Sequence, residues 1–313
     1  MAVRVIAFDV NEAGDAAGLQ AALHGLPEGQ RLVLLGKIPG PATLNDPSRE
    51  LSRMAFAAVL GPGRADTPML LSVGCEGIAS AGGWLLVDDG IAEPGGPARL
   101  AIGYGTSESV PFNERGVATG PGAEAVRRAM DDAGLTPDAT RLVLLKSPVR
   151  RSQADATGRA RGVAALGAAE ALGEVTSSGA ALGYCTRAMA MSGTETDRVE
   201  AVVFGNRAGA GGSLVVLSAM LSDMLDIAGL RAMLDHTDPA LVLFKAGLPP
   251  GGILRGRQTQ AMGTDMPTDK HLRAAASGIL GAVLGNTRAF ITGGAEFQGP
   301  PGACIAAAIT QAR

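Results

Sequence analysis

Three lysines carry the first chemical signal in this sequence. Lys37 closes the apolar run RLVLLGK (31–37), Lys146 closes RLVLLK (141–146) and Lys245 closes ALVLFK (240–245). A single lysine at the end of a buried strand is an ordinary charge escaping to solvent. Three in equivalent settings mark an internal repeat. The repeat is wider than the lysine. Arg49, Arg161 and Arg273 stand 112 residues apart, and each is followed by a ten-residue stretch rich in small and apolar residues and then by Leu-Gly (Leu60-Gly61, Leu172-Gly173, Leu284-Gly285). Downstream of each lies a hydroxyl in a glycine-containing segment: LLSVGCEG (70–77), AMSGTE (190–195) and ITGGAEFQGPPG (291–302). Aligned on the hydroxyl, Ser72, Ser192 and Thr292 form one column, and Glu76, Glu195 or Glu296 follows three or four residues later.

Packed about a common axis, three such copies would bring the lysines, arginines and hydroxyls to one central cleft. Crowding of like charges and partial burial both depress a lysine pKa, and a neutral amine can take the proton of a serine hydroxyl. That gives a Ser-Lys nucleophile without histidine. Gly193 and Gly293, directly after the hydroxyl residues, would let backbone N–H groups turn toward an oxyanion; Val73 takes that place in the first copy. The arginines would clamp other carbonyl oxygens of a planar substrate. The three glutamates are expected to hold loop N–H groups or to pair with the basic ring rather than to act as general acids.

The elements that must position these groups follow from pattern. Each lysine-tipped run has the length and composition of a buried strand. The stretch after each arginine has helical spacing, and its final glycine suits a left-handed cap. A further helix precedes each strand: AAGLQAALHGL (16–26), PGAEAVRRAMDDAGL (121–135) and IAGLRAMLDH from 227. Alternating helices and strands predict an α/β or α+β chain of three similar units, spanning 1–117, 118–225 and 226–313.

Composition narrows the function classes. The 313 residues are 46% hydrophobic and 18% charged, with 45 glycines and a net charge of −3, which describes a folded globular chain with no basic surface for nucleic acid. No apolar run reaches the ~20 residues of a membrane span, and MAVRVIAFDV meets an aspartate too early for a signal peptide, so a cytoplasmic protein is expected. Cys75, Cys185 and Cys304 lack zinc spacing and are odd in number; Cys75 and Cys304 read as small core fillers, and Trp84 as core. His24, His236 and His271 fall in no metal-binding pattern and read as solvent-facing polar residues. Ser177-Ser178-Gly179 reads as a turn, and GNRAGAGG (205–212), which lacks G-K-[ST], as a glycine-rich connection.

Several stretches together resemble the ring-opening amidohydrolases, the family of cyanuric acid amidohydrolase and barbiturase. NDPSR (45–49) is similar to the family's N-D-x-x-R, LKSPVR (145–150) to its K-C-P-L, and ARGVAALGAAEALGEV (160–175) to its S-R-G-A-S-A-L-G. MSGTETDRVEAVVFGN (191–206) resembles S-G-V-E-L…V-x-V-L-G-N, RGRQTQ (255–260) resembles R-G-R-R-H-T, and ITGGAEFQGPPG resembles V-S-G-G-A-E-H-Q-G-P-P-G. The resemblance covers essentially the whole chain. It implies three domains around a pseudo-threefold axis, a central barrel-like sheet with helices outside, a homo-oligomer (a tetramer) and hydrolysis of a small cyclic imide or lactam, with no cofactor required for chemistry. It also implies Ser192 as nucleophile with Lys146 as base. Lys37 with Ser72 and Lys245 with Thr292 would then be flanking pairs, and Arg49, Arg161 and Arg273 would grip substrate oxygens. Ser72 is the alternative nucleophile if Ser192 points away.

The chain also departs from the family pattern. Val73 replaces a glycine and Thr292 a serine, Gly247 replaces the acidic residue after the third lysine that is associated with a metal, and Phe297 replaces a histidine. The segment between Arg49 and Ser72 is short. A structural divalent cation held by the glycines and carbonyls of GAEFQGPPGACIA stays open. These departures leave room for a ring other than cyanuric acid, for another acyl-type reaction such as biosynthetic ring closure, or for a binder of planar imides without catalysis.

Overall fold

The computed structural model of the chain describes residues 2–43, 45–109, 119–150, 156–174, 182–260 and 266–312. The Ser177-Ser178-Gly179 motif and the expected seam at 117 lie outside them.

Among these residues one topology is written three times. The first copy runs β1 (Val3–Asp9), α1 (Ala17–Leu23), β2 (Arg31–Ile38), α2 (Ser48–Leu60), β3 (Met69–Val73), β4 (Gly82–Asp88). The second runs β5 (Ala98–Ser109), α3 (Thr119–Ala133), β6 (Thr140–Pro148), α4 (Ala156–Ala171), β7 (Ala188–Gly193), β8 (Arg198–Ala208). The third runs β9 (Leu214–Leu221), α5 (Ile227–Leu234), β10 (Pro239–Ala246), a two-residue-strand hairpin β11 (Ile253–Leu254) and β12 (Arg257–Gln258), α6 (Thr268–Leu284), β13 (Phe290–Gly293), β14 (Cys304–Gln311). The sheets have matching orders, β1-β4-β2-β3, β5-β8-β6-β7 and β9-β14-β10-β13. In each, the lysine-tipped strand is central, antiparallel to one neighbour and parallel to the strand that carries the hydroxyl segment.

Sheet membership places the seams earlier than 117 and 225. β5 lies before residue 117 yet is an edge strand of the second sheet, and β9 lies before 225 yet belongs to the third. The lysine marks located the helix and strand that follow but missed the leading strand of each copy, because that strand carries no chemical mark and pairs only through its backbone.

Both faces of each sheet are covered, which is why the central strands read as unbroken apolar runs rather than alternating ones. The inward faces share one core: Leu35 and Leu70, Leu144 and Met189, Leu243 and Phe290 meet in a single cluster, with Trp84 edge-on to Phe290 at 6.2 Å. The outward faces make three separate clusters: the first sheet under α1 and α2, the second under α3 and α4, the third under α5 and α6. This is the barrel-like centre wrapped by helices. The three Leu-Gly ends close helices, with Gly61, Gly173 and Gly285 at φ 69°, 65° and 68°, a region glycine enters without Cβ strain; Gly285 takes the expected left-handed cap, whereas Gly61, at ψ 179°, turns the chain out of the helix instead. GNRAGAGG is half strand and half connection: Gly205 to Ala208 end β8 and 209–212 lead to β9, and the Asn206 amide both donates to Val216 O and accepts from Val216 N on β9, joining the second sheet to the third.

Candidate active site

The three lysines converge at one end of the shared core. Each lies two residues beyond a barrel-facing leucine (Leu35, Leu144, Leu243), so the two-residue period of a strand aims all three inward, where they are almost wholly buried. Lys146 and Lys245 border a cleft of about 530 Å³ lined by residues of all three copies, including Arg49, Ser72, Val73, Met191, Ser192, Thr292 and Gly293, and Lys37 meets it through Ser72. No described histidine lines it. A wider depression of about 1050 Å³ lies on the far side of Thr194 and Glu195, with Arg53, Tyr104 and Glu200 in its wall; no lysine lines it.

The pairing of lysine with hydroxyl differs between copies. Lys37 stands opposite Ser72 and Lys245 opposite Thr292, as expected, but Lys146 stands opposite Met191. Ser192 is one residue further on, and a one-residue step in a strand changes face. Met191 continues the barrel-facing series from Met189, whereas Ser192 shares parity with Ala188 and Ala190, which pack under α4. The Ser192 hydroxyl donates to the Thr157 carbonyl on α4 at 3.2 Å, and no hydrogen bond joins it to Lys146. The expected Ser192–Lys146 dyad is therefore not assembled. Counting back from the glutamates gives the correct column: Ser72, Met191 and Thr292 each stand four residues before Glu76, Glu195 and Glu296, and Gly74, Gly193 and Gly294 stand two before. Aligning on hydroxyl identity shifted the middle copy by one.

Partners distinguish the three lysines further. Lys37 Nζ lies 3.4 Å from Ser72 Oγ, the only lysine–hydroxyl hydrogen bond in the cleft among the described residues. Burial, reinforced by the Arg273 charge, pushes its pKa down to about 7. Lys146 Nζ donates to Leu71 O at 2.9 Å, across the seam to the first copy, and sits 2.5 Å from the Glu195 carboxylate. Burial lowers its pKa too, but Glu195 opposes that shift and favours the ammonium. Lys245 Nζ donates to Ala190 O at 2.6 Å and Gly293 O at 2.9 Å; burial, with Arg161 beside it, holds its pKa well below the usual lysine value. The Thr292 hydroxyl opposite it is buried and has no hydrogen-bond partner among the described residues.

The arginines line the cleft, but each is engaged by the glutamate of another copy. Arg49 pairs with Glu195 at 3.1 Å, Arg161 with Glu296 at 2.6 Å and Arg273 with Glu76 at 2.6 Å, a closed cycle from first copy to second to third to first. Arg161 also reaches Asp269, at 2.9 Å. Burial would raise the glutamate pKa values, but the facing cations hold all three below the usual carboxylate value. The expectation that the glutamates pair with the basic ring holds. The arginines expected to clamp substrate oxygens line the cleft, and their ion pairs also fasten the ends of the three hydroxyl-bearing strands to their neighbours.

Backbone space explains the nearby glycines. A Cβ on Gly193 would lie 2.6 Å from Lys146 Cε and 2.0 Å from Glu195 Oε2, so a side chain there would dislodge the ion pair. At Gly293 a Cβ would meet Asp269 O at 2.8 Å. Val73, expected to narrow the pocket, does line the cleft, although its side chain also joins Leu71 and Phe56 in the core under α2. Phe297 packs against Gly162 of α4 and does not line the cleft.

Part of the donor set of the loop open to a structural cation is engaged within the protein. The carbonyls of Gly294 and Glu296 accept from the Gln298 amide. The Glu296 carboxylate is taken by Arg161. A Cβ on Gly247 would lie 1.8 Å from Ala303 O, which leaves no room for an acidic side chain at that position.

Comparison with known proteins agrees with this architecture. Residues 4–311 match the family described as amidohydrolase ring-opening protein. A cyanuric acid amidohydrolase of Pseudonocardia dioxanivorans is 32% identical over 304 residues, covering 87% of each chain. A cyclic amide hydrolase of Azorhizobium caulinodans is 30% identical over 370 residues, covering 100% of each. The crystal structure of the cyanuric acid hydrolase from A. caulinodans superposes with a TM-score of 0.87 at 28% identity, covering 99% of both chains.

Proposed function

The chain belongs to the ring-opening amidohydrolase family, and from that premise we propose that it hydrolyses one amide bond of a small cyclic imide with Ser72 as nucleophile and Lys37 as its base. The observation that carries this reading is the Lys37–Ser72 contact: of the three strand-end lysines, only Lys37 is neither ion-paired nor bound to a backbone carbonyl through its Nζ among the described residues.

The steps follow from these groups. Neutral Lys37 takes the Ser72 proton as Oγ bonds to a ring carbonyl carbon. The tetrahedral intermediate collapses, the C–N bond breaks, and the Lys37 ammonium returns the proton to the departing ring nitrogen. Water then attacks the acyl-Ser72 carbon, Lys37 takes a proton from it, and that proton restores the Ser72 hydroxyl as the carboxyl product leaves. Lys146, favoured as the ammonium by Glu195 and bonded to Leu71 O immediately before Ser72, supplies fixed positive charge next to the reacting carbonyl. Fixed charge in a water-poor site stabilises a developing oxyanion without reorganisation. The unpartnered Thr292 hydroxyl is free to donate to a second ring carbonyl.

The test is direct. The protein is incubated with cyanuric acid, barbituric acid and a panel of cyclic imides, and loss of ring absorbance is followed with identification of the acyclic product. Turnover that disappears in Ser72→Ala supports the reading; full turnover in that variant contradicts it.

A further inference from the structure

The cleft is not threefold in its chemistry, and the asymmetry has a definite place. At the position opposite the lysine, the first copy presents a hydroxyl (Ser72) and the third presents a hydroxyl (Thr292), but the second presents the thioether of Met191. Met191 is buried and borders the cleft, as does buried Val149 of the same copy, whose N–H donates to Gly193 O two residues beyond Met191. The nearby cation of that copy is Lys146, turned onto Glu195 and Leu71 O. At the position opposite the lysine, two copies therefore offer hydroxyls to a ring and the middle copy offers a thioether, in a wall that Lys146 and Ser192 of the same copy also line.

A ring with three identical edges of alternating carbonyl and N–H would have to bury one polar edge against Met191 and Val149. Each such group left unpaired carries its desolvation penalty uncompensated. A ring that carries an alkyl group on that edge leaves no polar atom unpaired there and gains apolar burial. Met suits the task, since its unbranched, polarizable side chain adapts to irregular hydrocarbon shapes. The cleft volume of about 530 Å³ also exceeds what a bare six-membered ring occupies, being many times the ~30 Å³ share of one water.

We infer that Met191 is a specificity-determining residue and that the substrate is a cyclic imide bearing a hydrocarbon substituent on one ring edge, seated with that edge toward Met191 and Val149. This deepens the ring-opening reading above and rests on it. Met191 takes no part in the proton transfers; it selects which ring binds and which edge faces Ser72.

The experiment measures kcat/KM for cyanuric acid, barbituric acid and 5-alkyl barbituric acids in the unmodified protein, in Met191→Leu and in Met191→Ser. The expected result is a preference of tenfold or more for an alkyl-bearing ring, retained in Met191→Leu. Met191→Ser should reduce the ratio of alkylated to unsubstituted ring by roughly tenfold or more, the range one apolar group commands in a pocket. An unmodified protein that opens cyanuric acid as well as any alkylated ring would overturn the inference. So would a Met191→Ser variant with an unchanged ratio. If no ring is opened by the unmodified protein, the hydrolytic reading fails. The ratio of dissociation constants for the same rings, measured by calorimetry in the same three proteins, then tests Met191 alone: an alkyl preference lost in Met191→Ser supports its role, and equal affinities overturn it.

Discussion

Lys146 stands opposite Met191 in the parallel β6–β7 pair and closes onto the Glu195 carboxylate at 2.5 Å. That relationship separates the middle copy from the first, where Lys37 faces a hydroxyl and has no ion pair among the described residues. Two strands of nearly identical sequence thus hold two lysines of different character. Burial lowers the pKa of both; at Lys146 the Glu195 carboxylate opposes that shift at ion-pair distance, whereas at Lys37 the Arg273 charge adds to it. A base must be able to accept a proton, so the proposed mechanism assigns positive charge to Lys146 and proton transfer to Lys37.

The protonation of Lys37 sets the pH dependence. Its pKa falls from the usual 10.5 to about 7, with burial as the largest cause and Arg273 and Lys146 adding to it against Cys75 and Glu76. The neutral amine is the active form, so kcat/KM should drop about tenfold per pH unit below an apparent pKa near 7 and level off above it. A pH–rate profile from pH 5 to 9 checks this. Stability follows the same group: between about pH 7 and 10.5 the unfolded chain binds the lysine proton and the folded chain does not, so this contribution rises with pH across that window.

Glu76→Gln should move that profile. The carboxylate raises the Lys37 pKa and neutralises Arg273, which it holds at 2.6 Å. Its loss leaves the arginine cation uncompensated beside Lys37, so the acid limb of kcat/KM should shift to lower pH. Removing one partner of a largely buried pair should also destabilise the fold by about 2–4 kcal/mol. The pH–rate profile and urea unfolding report the two effects separately.

Gly193→Ala should damage the middle copy through crowding alone. The new methyl would overlap the Lys146 Cε and the Glu195 carboxylate, which have little room to yield between Leu71 O and Arg49. Overpacking of this kind costs about 1–3 kcal/mol, and the melting temperature should fall by several degrees. Scanning calorimetry decides it; an unchanged Tm would mean that the Lys146–Glu195 pair is not fixed in place.

Much of this architecture is legible in the sequence because the repeat preserves chemistry that the fold requires. The lysine after each apolar run, the arginine ahead of each helix and the glutamate after each hydroxyl segment all arrive at one centre. The leading strands β1, β5 and β9 stay hidden, since edge pairing leaves no mark beyond the apolar pattern. The middle dyad was misassigned for a sharper reason. A serine one residue away from the lysine's opposite number looks like an alignment match, but strand parity sends its side chain to α4 and brings Met191 inward. Equal spacing to the glutamates carries that information, whereas matching hydroxyl to hydroxyl discards it. The arginine–glutamate cycle is not legible either, because which copy each arginine reaches depends on how the three sheets close.

The central claim is that the reacting hydroxyl belongs to Ser72 and not to Ser192. Single-turnover and steady-state hydrolysis of the best ring by Ser72→Ala and Ser192→Ala, run side by side, tests it most directly. Ser72→Ala should lose about 10⁴-fold or more in kcat, and Ser192→Ala should stay within about tenfold of the unmodified protein. The reverse pattern would contradict the account.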